Sequence, residues 1–437
     1  MNISVIGLGK LGLSMALAIA GKGHRVIGVD ISDEVIRKLK LKESHIQEPQ
    51  VCELLIQTTD QGLFEPTQDF SKAIFGSDLS MISVNTSQKA DGSMDLEQVK
   101  DAAKKLAHVI KQKKSFHIIA VSSTILPETT DRILTPLIEE ESQKKAGEDF
   151  GLCVNPVFIA LTSVVRDFLN PPVVVIGESD KTSGAFLDQL YHSICQNRPQ
   201  HVHTTALMAE LIKMAHNAYA TTKMAFINEM ADLCSKIEGA DIEALTEFFR
   251  AGGERPGKFL EAGTGFGGPC FPRDLRFFAN YAKARLPALP LLESISASNA
   301  WHAAHLVDLL EDELGSLKKR KVAVLGLSYK PNSDITEASF SIRIIESLLS
   351  KEAIVSAYDP IVKEVNQWEG SENFKIHINA LDALRDADAC IVATPWGEFK
   401  KLKVRDFENT MKQTVVVDPW RLYHKSEIRE TFLFQKT

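Results

Sequence analysis

The residues with the most chemistry in them lie in one glycine-rich run, Gly263-Thr264-Gly265-Phe266-Gly267-Gly268-Pro269-Cys270-Phe271-Pro272-Arg273-Asp274. A cysteine behind four glycines sits on a loop where backbone and ligand can approach closely. Its thiolate would be a nucleophile, and Arg273 and Asp274 could tune its ionisation or hold its partners. A lone cysteine is more often an inert core residue, but a loop beside charge favours the nucleophile. Lys213 and Asn217 are spaced i,i+4 and share one helical face. An ammonium on an otherwise apolar face is costly without a purpose. Lys213 could polarise a developing alkoxide, with Asn217 holding a water or hydroxyl. The alternative is a solvated lysine beside a polar amide. His201 and His203 form an H-x-H with no third ligand in view, so they read as surface residues and no metal is expected.

A second signal opens the chain. Gly7-Leu8-Gly9-Lys10-Leu11-Gly12 follows the strand-like Ile3-Ser4-Val5-Ile6 and precedes an apolar helix pattern from Leu13 to about Ala20. The first glycine permits a tight turn, the second lets a pyrophosphate approach, and the third lets helix and strand pack closely. Asp30 ends the next strand-like run, Arg25–Asp30, 18 residues after Gly12, where a carboxylate accepts from a ribose diol and repels a 2′-phosphate. NAD is therefore expected rather than NADP.

These motifs need elements to carry them. Buried-strand patterns at Leu79–Val84, His117–Val121 and Val173–Ile176 alternate with helical stretches, as in a parallel, doubly wound sheet. A helical run without proline or glycine extends from about Thr204 to Glu238, too long for a crossover and suited to joining domains or to dimerisation. A second α/β pattern begins at Val322-Ala323-Val324-Leu325, with Gly326 in the following turn and further strands at Ile354–Tyr358, Cys390–Ala393 and Val415–Val417. The fold class is thus α/β, with two Rossmann-like doubly wound domains joined by a long central helix. The expected domains are 1–200, 201–315 and 316–437.

The chain has 437 residues, 44% of them hydrophobic, 24% charged and 7% aromatic, with a net charge of -7. No basic block supports nucleic-acid binding. Six scattered cysteines without a C-x-x-C pair suggest reduced thiols and a cytoplasmic protein. No stretch reaches membrane-span length.

The same motifs, in order, resemble the UDP-glucose/GDP-mannose dehydrogenase family over nearly the whole chain. The matching segments are Gly7–Gly12 with Asp30, Ile46-Gln47-Glu48-Pro49, Val84-Asn85-Thr86 with Asp91-Gly92-Ser93, and Ser123-Thr124. They continue with Asn155-Pro156, Asp167-Phe168, Asn170-Pro171, Lys213 with Asn217, Arg255, Phe259-Leu260, the Cys270 loop, Gly326-Leu327 and Tyr329-Lys330. The resemblance implies an N-terminal NAD-binding domain, a central helical domain used in homodimerisation and a C-terminal nucleotide-sugar (UDP) domain. It also implies a four-electron oxidation of a sugar C6 alcohol to a uronate, through a thiohemiacetal and a thioester on Cys270. In that scheme Lys213 and Asn217 stabilise the oxyanion, Asp274 supports Lys213 or a water, and Thr124 helps place water or cofactor. Thr86, Ser123, Thr124 and Arg273 join the glycine turn and Asp30 in the cofactor set. Phe158, Ile159, Lys213, Asn217, Arg255, Phe259, Leu260, Gly267, Tyr329 and Lys330 form the substrate set.

The chain departs from that pattern where the family reads N-P-E-F-L-x-E-G and this sequence reads Asn155-Pro156-Val157-Phe158-Ile159-Ala160-Leu161-Thr162. Valine can neither accept a proton nor orient water. Glu337 stands for a family arginine, and Pro419-Trp420 for a glycine-arginine pair. Three readings follow: a complete uronate-forming dehydrogenase, a relative that stops at the thioester, releases aldehyde or passes the acyl group to a different nucleophile, and a silent NAD- and nucleotide-binding protein. A simpler hydroxyacid dehydrogenase would need neither Cys270 nor a second α/β domain.

Overall fold

The structure is a computed structural model that describes residues 1–235, 237, 239–251, 260–283, 285 and 290–423. Two compact units divide the chain, Met1–Ala215 and His216–Thr437. Among the described residues no helix is long and apolar enough to cross a membrane.

The first unit is built on β1 (Asn2–Ile6), β2 (Arg25–Val29), β3 (Phe64–Thr67), β4 (Leu79–Ile82), β5 (His117–Val121), β6 (Phe150–Val154), β7 (Val173–Glu178) and β8 (Gln200–Thr204). They form a sheet in the order β3-β2-β1-β4-β5-β6-β7-β8. Neighbours run parallel except β6 and β7, which pair antiparallel through Cys153↔Glu178 and Val154↔Gly177. A parallel sheet covered on both faces needs continuous apolar strands, and β1, β4, β5 and β6 are buried almost throughout. One face packs Ile3 and Val5 against Leu13 and Leu17 of the helix Lys10–Ala20. The other packs Ile6 and Ile119 against Val99 and Leu106 of the helix Glu97–Ile110.

Strand order reverses between β1 and β4. In such sheets ligands bind beyond the carboxyl ends of the strands at that reversal, and here the glycine turn after β1 lies there. Strands β3 and β8 escape a search for apolar runs because they are edge strands. One contains Pro66, which an edge tolerates, and the other reads Gln200-His201-Val202-His203-Thr204, polar at alternate positions. The first sheet therefore reaches Thr204.

The second unit repeats the scheme on β9 (Lys321–Leu325), β10 (Ile354–Tyr358), β11 (Phe374–Ile376), β12 (Ala389–Val392) and β13 (Val416–Val417), all parallel, in the order β11-β10-β9-β12-β13. Its core joins Val322, Val324 and Ile391 to Ile344 and Leu348 of the helix Phe340–Ser350, and to Leu306 and Leu310 of the helix Pro290–Leu314. The anticipated long helix spans Ala206–Cys234. Ile227 and Ala231 on it enter the second unit's core.

Inside the first unit one polar cluster interrupts the apolar face. Ser4 Oγ and Ser80 Oγ lie 2.6 Å apart, and His117 Nε2 lies 2.8 Å from Ser80 Oγ. Lys113 Nζ sits 2.9 Å from His117 Nδ1. Burial, with the Lys113 charge second, pushes the His117 imidazole down to about 3 from 6.5. The folded state thus binds fewer protons than the unfolded chain between those values. Its contribution is complete above pH 6.5 and is lost as pH falls toward 3. The melting temperature of the first unit should fall between pH 7 and pH 5, where carboxylates are still ionised. His117→Asn should flatten that slope, and equal slopes in a pH series of thermal melts would rule this account out.

Candidate active site

Beyond β1, Gly7 takes φ +93°, and a Cβ there would lie 2.6 Å from Ser83 O. A Cβ on Gly12 would lie 1.9 Å from Gly7 O. Both are glycine because the backbone of the unit packs against them. Gly9 is different: a Cβ there would meet nothing within 4 Å. It is the N-cap of the helix Lys10–Ala20, and no side chain caps that end. An exposed helix N-terminus, with N–H groups and the positive end of the helix dipole, fits a pyrophosphate. Asp30 fastens the turn from below, its carboxylate accepting from Leu8 N and Ser32 N at 2.9 Å each. Each oxygen keeps a lone pair for a ribose hydroxyl. Leu8 itself is buried, its N–H is taken by Asp30 and its carbonyl accepts from His45 Nε2 at 2.9 Å. It shapes the turn rather than presenting a side chain to a ligand. Lys10 and Leu11 are half-buried in the first helical turn.

Thr86 follows β4 and Ser123 and Thr124 follow β5, at the same carboxyl edge. Ser123 Oγ donates to Val84 O at 2.7 Å, tying these two turns together. Arg273 belongs to the second unit. Its guanidinium holds Asp274 Oδ1 through Nε at 3.0 Å and Nη2 at 2.9 Å.

The departing segment, residues 155–163, lies in the first unit beyond β6. Asn155 Nδ2 donates to Val175 O at 2.9 Å, and Tyr191 Oη donates to Asn155 Oδ1 at 2.6 Å. Glu48, buried, accepts from Thr162 N at 2.8 Å, and Asp167 Oδ2 accepts from Ala160 N at 3.2 Å and Ser163 Oγ at 2.7 Å. Val157 and Ile159 pack on the core, and Phe158 packs beside Ala206 and Ala209. Lys213 Nζ donates to the carbonyl of Val157 at 2.8 Å and lies 5.3 Å from the centre of the Phe158 ring. Lys213, Phe158 and Val157 thus meet as one group.

In the second unit Cys270 is exposed just before the helix Phe271–Lys283, whose first turn is marked by Asp274 N donating to Cys270 O at 2.8 Å. The start of a helix favours a negative charge, and so a thiolate. Asp274, 1% exposed, accepts from Asn217 Nδ2 at 2.8 Å on one oxygen and from Arg273 on the other. It therefore orients Asn217. The glycines of the loop are close-packed: a Cβ on Gly268, at φ +83°, would lie 2.5 Å from the Tyr329 ring, and one on Gly267 would lie 2.6 Å from Ala338 O. Tyr329 thus lies against the loop, and Lys330 Nζ is 5.5 Å from the Tyr329 ring. Leu260 is buried in the unit's core. Arg255 and Phe259 lie outside the described residues.

Several supports of this loop were not anticipated. Asn228 Oδ1 accepts from Gly263 N at 3.1 Å, and Asn299 pairs with both Phe266 N at 2.9 Å and Phe266 O at 3.0 Å. His302 bridges Asp232 Oδ2 at 2.9 Å and Gly263 O at 3.0 Å. Their signal in the sequence is a stripe of polar residues on otherwise apolar helices: Asn217, Asn228 and Asp232 on one, Asn299 and His302 on the other. A cavity of about 260 Å³ opens beside the loop, between Phe266, Pro272, Arg276, Ser296, Asn299 and Arg343.

Comparison with known proteins agrees with this arrangement. The UDP-glucose/GDP-mannose dehydrogenase family matches in three parts: its NAD binding domain over residues 1–195, its central domain over 208–301 and its UDP binding domain over 323–425. A UDP-glucose 6-dehydrogenase of Haloferax volcanii is 33% identical over 429 residues, covering 98% of each chain. One from Rickettsia prowazekii is 34% identical over 420 residues, covering 96% of this chain and 94% of its own. Among solved structures, a UDP-glucose dehydrogenase from Pyrobaculum islandicum superposes with a TM-score of 0.86 at 29% identity, covering 99% of this chain and 95% of that one. The chain belongs to the UDP-glucose/GDP-mannose dehydrogenase family. It is an NAD-dependent oxidoreductase, a nucleotide-sugar 6-dehydrogenase.

The glycine geometry separates cofactor binding from folding. Gly9→Ala should leave the melting temperature unchanged and weaken NAD binding by roughly tenfold or more, since one displaced charge-assisted hydrogen bond is worth about 1.5–3 kcal/mol. Gly12→Ala should destabilise the first unit. Thermal melts and NAD titration by calorimetry check both, and an unaltered NAD affinity in Gly9→Ala would refute the assignment.

Proposed function

We propose that the protein oxidises the C6 alcohol of a UDP-hexose to the uronate, with Cys270 carrying the sugar between the two oxidations. The observation that carries this reading is the exposed Cys270 at a helix start, beside an Asp274 that is buried and holds Asn217. UDP is favoured by the match to a UDP binding domain and by relatives that act on UDP-glucose.

When bound, NAD accepts hydride, and two equivalents take up the four electrons. The hydroxyl proton leaves as the alcohol becomes an aldehyde. Cys270 Sγ then bonds to C6, and the resulting thiohemiacetal loses a second hydride to become a thioester. Water adds to that carbonyl, the C–S bond breaks, and the thiolate returns with the uronate released. Lys213 and Asn217, one turn apart on the helix Ala206–Cys234, are assigned to the developing oxyanion. Asp274, with Arg273 on its other oxygen, positions Asn217. Thr124 is assigned to placing water or cofactor. Phe158, Ile159, Leu260, Gly267, Tyr329 and Lys330 are assigned to the substrate, as is Arg255. The proposed domains follow the same division of labour: 1–200 for NAD, 201–315 for the helical centre and 316–437 for the nucleotide sugar.

The wild-type protein with NAD and UDP-glucose, or another UDP-hexose, should form two NADH per sugar and a free uronate. Cys270→Ser should stop near one NADH per sugar, because an alkoxide is a poor stand-in for a thiolate and an oxygen ester a poor intermediate. Two NADH per sugar from Cys270→Ser at the wild-type rate would defeat the covalent route. A homodimer is part of the same reading. Tyr219, Phe226 and Leu233, exposed on the second-unit portion of the long helix, are apolar positions that a partner would cover. Sedimentation should give about twice the chain mass of 48.3 kDa, and a lone 48.3 kDa species would reject the dimer.

A further inference from the structure

Outside these residues, the first unit gathers three imidazoles and two carboxylates at its sheet edge. Strand β8 alternates sides with a period of two residues, which puts His201 and His203 on one face. The helix Lys181–Ile194 places Asp188 and His192 one turn apart, a spacing that puts two ligands on one helical face. His201 Nδ1 lies 2.7 Å from Asp188 Oδ1, and His192 Nδ1 lies 3.2 Å from Asp188 Oδ2. The His192 and His201 rings are 4.3 Å apart between centres. One donor atom from each of Asp188, His192 and His201 lies within 4.8 Å of the others. His203 sits just behind, its Nε2 3.1 Å from Asp188 Oδ1 and its Nδ1 2.9 Å from Glu178 Oε2.

We propose that Asp188, His192 and His201 bind a divalent transition-metal ion of the zinc class, with His203 and Glu178 holding Asp188 in place. Two imidazoles and a carboxylate suit zinc, cobalt or nickel, whereas calcium and magnesium call for oxygen donors throughout. Zinc–nitrogen and zinc–oxygen bonds of about 2.0–2.2 Å bring tetrahedral ligands to roughly 3.3 Å from one another. The cluster must therefore contract by an order of 1 Å. His192, 66% exposed, has the rotamer freedom to supply that movement. His201, 9% exposed, is already fixed against Asp188. Three protein ligands leave a fourth position for water. The hydrogen bond from His203 to the ligating carboxylate is the arrangement by which outer residues orient a metal ligand. The ion would clamp the edge strand β8 to the helix Lys181–Ile194. Its effect is on the stability of this edge and not on the oxidation.

The test uses the untagged full chain, stripped with chelator and titrated with Co(II), whose visible absorption reports a tetrahedral nitrogen and oxygen site. One Co(II) per chain is expected, displaced by one Zn(II) and unaffected by excess Mg(II). His201→Ala and Asp188→Asn should abolish the band, and His203→Ala should weaken binding about tenfold. Zn(II) should raise the melting temperature of the wild-type chain and not of His201→Ala. His192→Ala alters only an exposed side chain, so it reports on binding even where the other variants fold poorly, and it too should lose the band. Cys270→Ser should keep it. An absent band in the wild-type chain, or an undiminished one in His192→Ala and Asp188→Asn, would overturn the proposal.

Discussion

No side chain fits where four glycines of the Cys270 loop stand, and the position of Cys270 depends on that. A Cβ would lie 2.4 Å from the Trp420 ring at Gly263, 2.1 Å from Asn299 Oδ1 at Gly265, 2.6 Å from Ala338 O at Gly267 and 2.5 Å from Tyr329 at Gly268. Backbone is thus pressed onto backbone and rings along the whole approach to Cys270. Close contact alone would leave the loop's polar groups buried and unpaired, at about 1–3 kcal/mol each. Asn228, Asn299 and His302 remove that cost by bonding them. Trp420, which with Pro419 stands where the family resemblance has a glycine-arginine pair, is part of this packing, its Nε1 donating to Ala393 O at 3.2 Å. Arg421, its neighbour, donates to Ala262 O at 3.0 Å.

The two Rossmann-like units use the same device with different outcomes. In each, a carboxylate at the end of the second strand accepts from the backbone of the first turn: Asp30 from Leu8 N, Asp359 from Leu327 N at 2.8 Å. Asp30 also accepts from Ser32 N and is half-buried. Asp359 is fully buried and also accepts from Ser328 N, Ser328 Oγ, Trp396 Nε1, Ile361 N and Val362 N. A saturated carboxylate has nothing left for a ribose. The turn differs too, since a Cβ on Gly326 would lie 2.4 Å from Thr394 Cβ, and residues 326–339, 14 in all, separate β9 from its helix. One unit is therefore shaped for a dinucleotide and the other is closed to one.

The parts of this chain that repeat a period were legible in the sequence. Apolar runs marked β1, β4, β5, β9, β10 and β12, and the glycine spacing marked the turn at Gly7–Gly12, because close approach of backbone admits one residue type. Strands β3 and β8 were not legible, since an edge strand may carry Pro66 or alternate histidines and still pair. The antiparallel step from β6 to β7 has no local signature at all. In the site, Cys270, Asn217 and Asp274 stood out by type and spacing. Asn228, Asn299 and His302 did not, because each is recognised only by the backbone atom it reaches, and that atom is distant in sequence. The same holds for Asp188, which meets His201 only through the pairing of β8 with β7.

The valine at position 157 can be followed to a physical consequence. Its side chain has joined the apolar core, and the polar group it leaves at the surface of that segment is its own carbonyl, which accepts from Lys213 Nζ at 2.8 Å. A carbonyl can hold an ammonium in place, but it cannot take a proton from water. Position 157 thus offers Lys213 a neutral carbonyl and no carboxylate. Asp274 accepts from Arg273 on one oxygen and from Asn217 on the other, which orients Asn217. In the reaction proposed above, attack by water on the thioester would then proceed without a base at position 157. A thioester would tolerate that better than an ordinary ester, since a thiolate leaves readily once water has added.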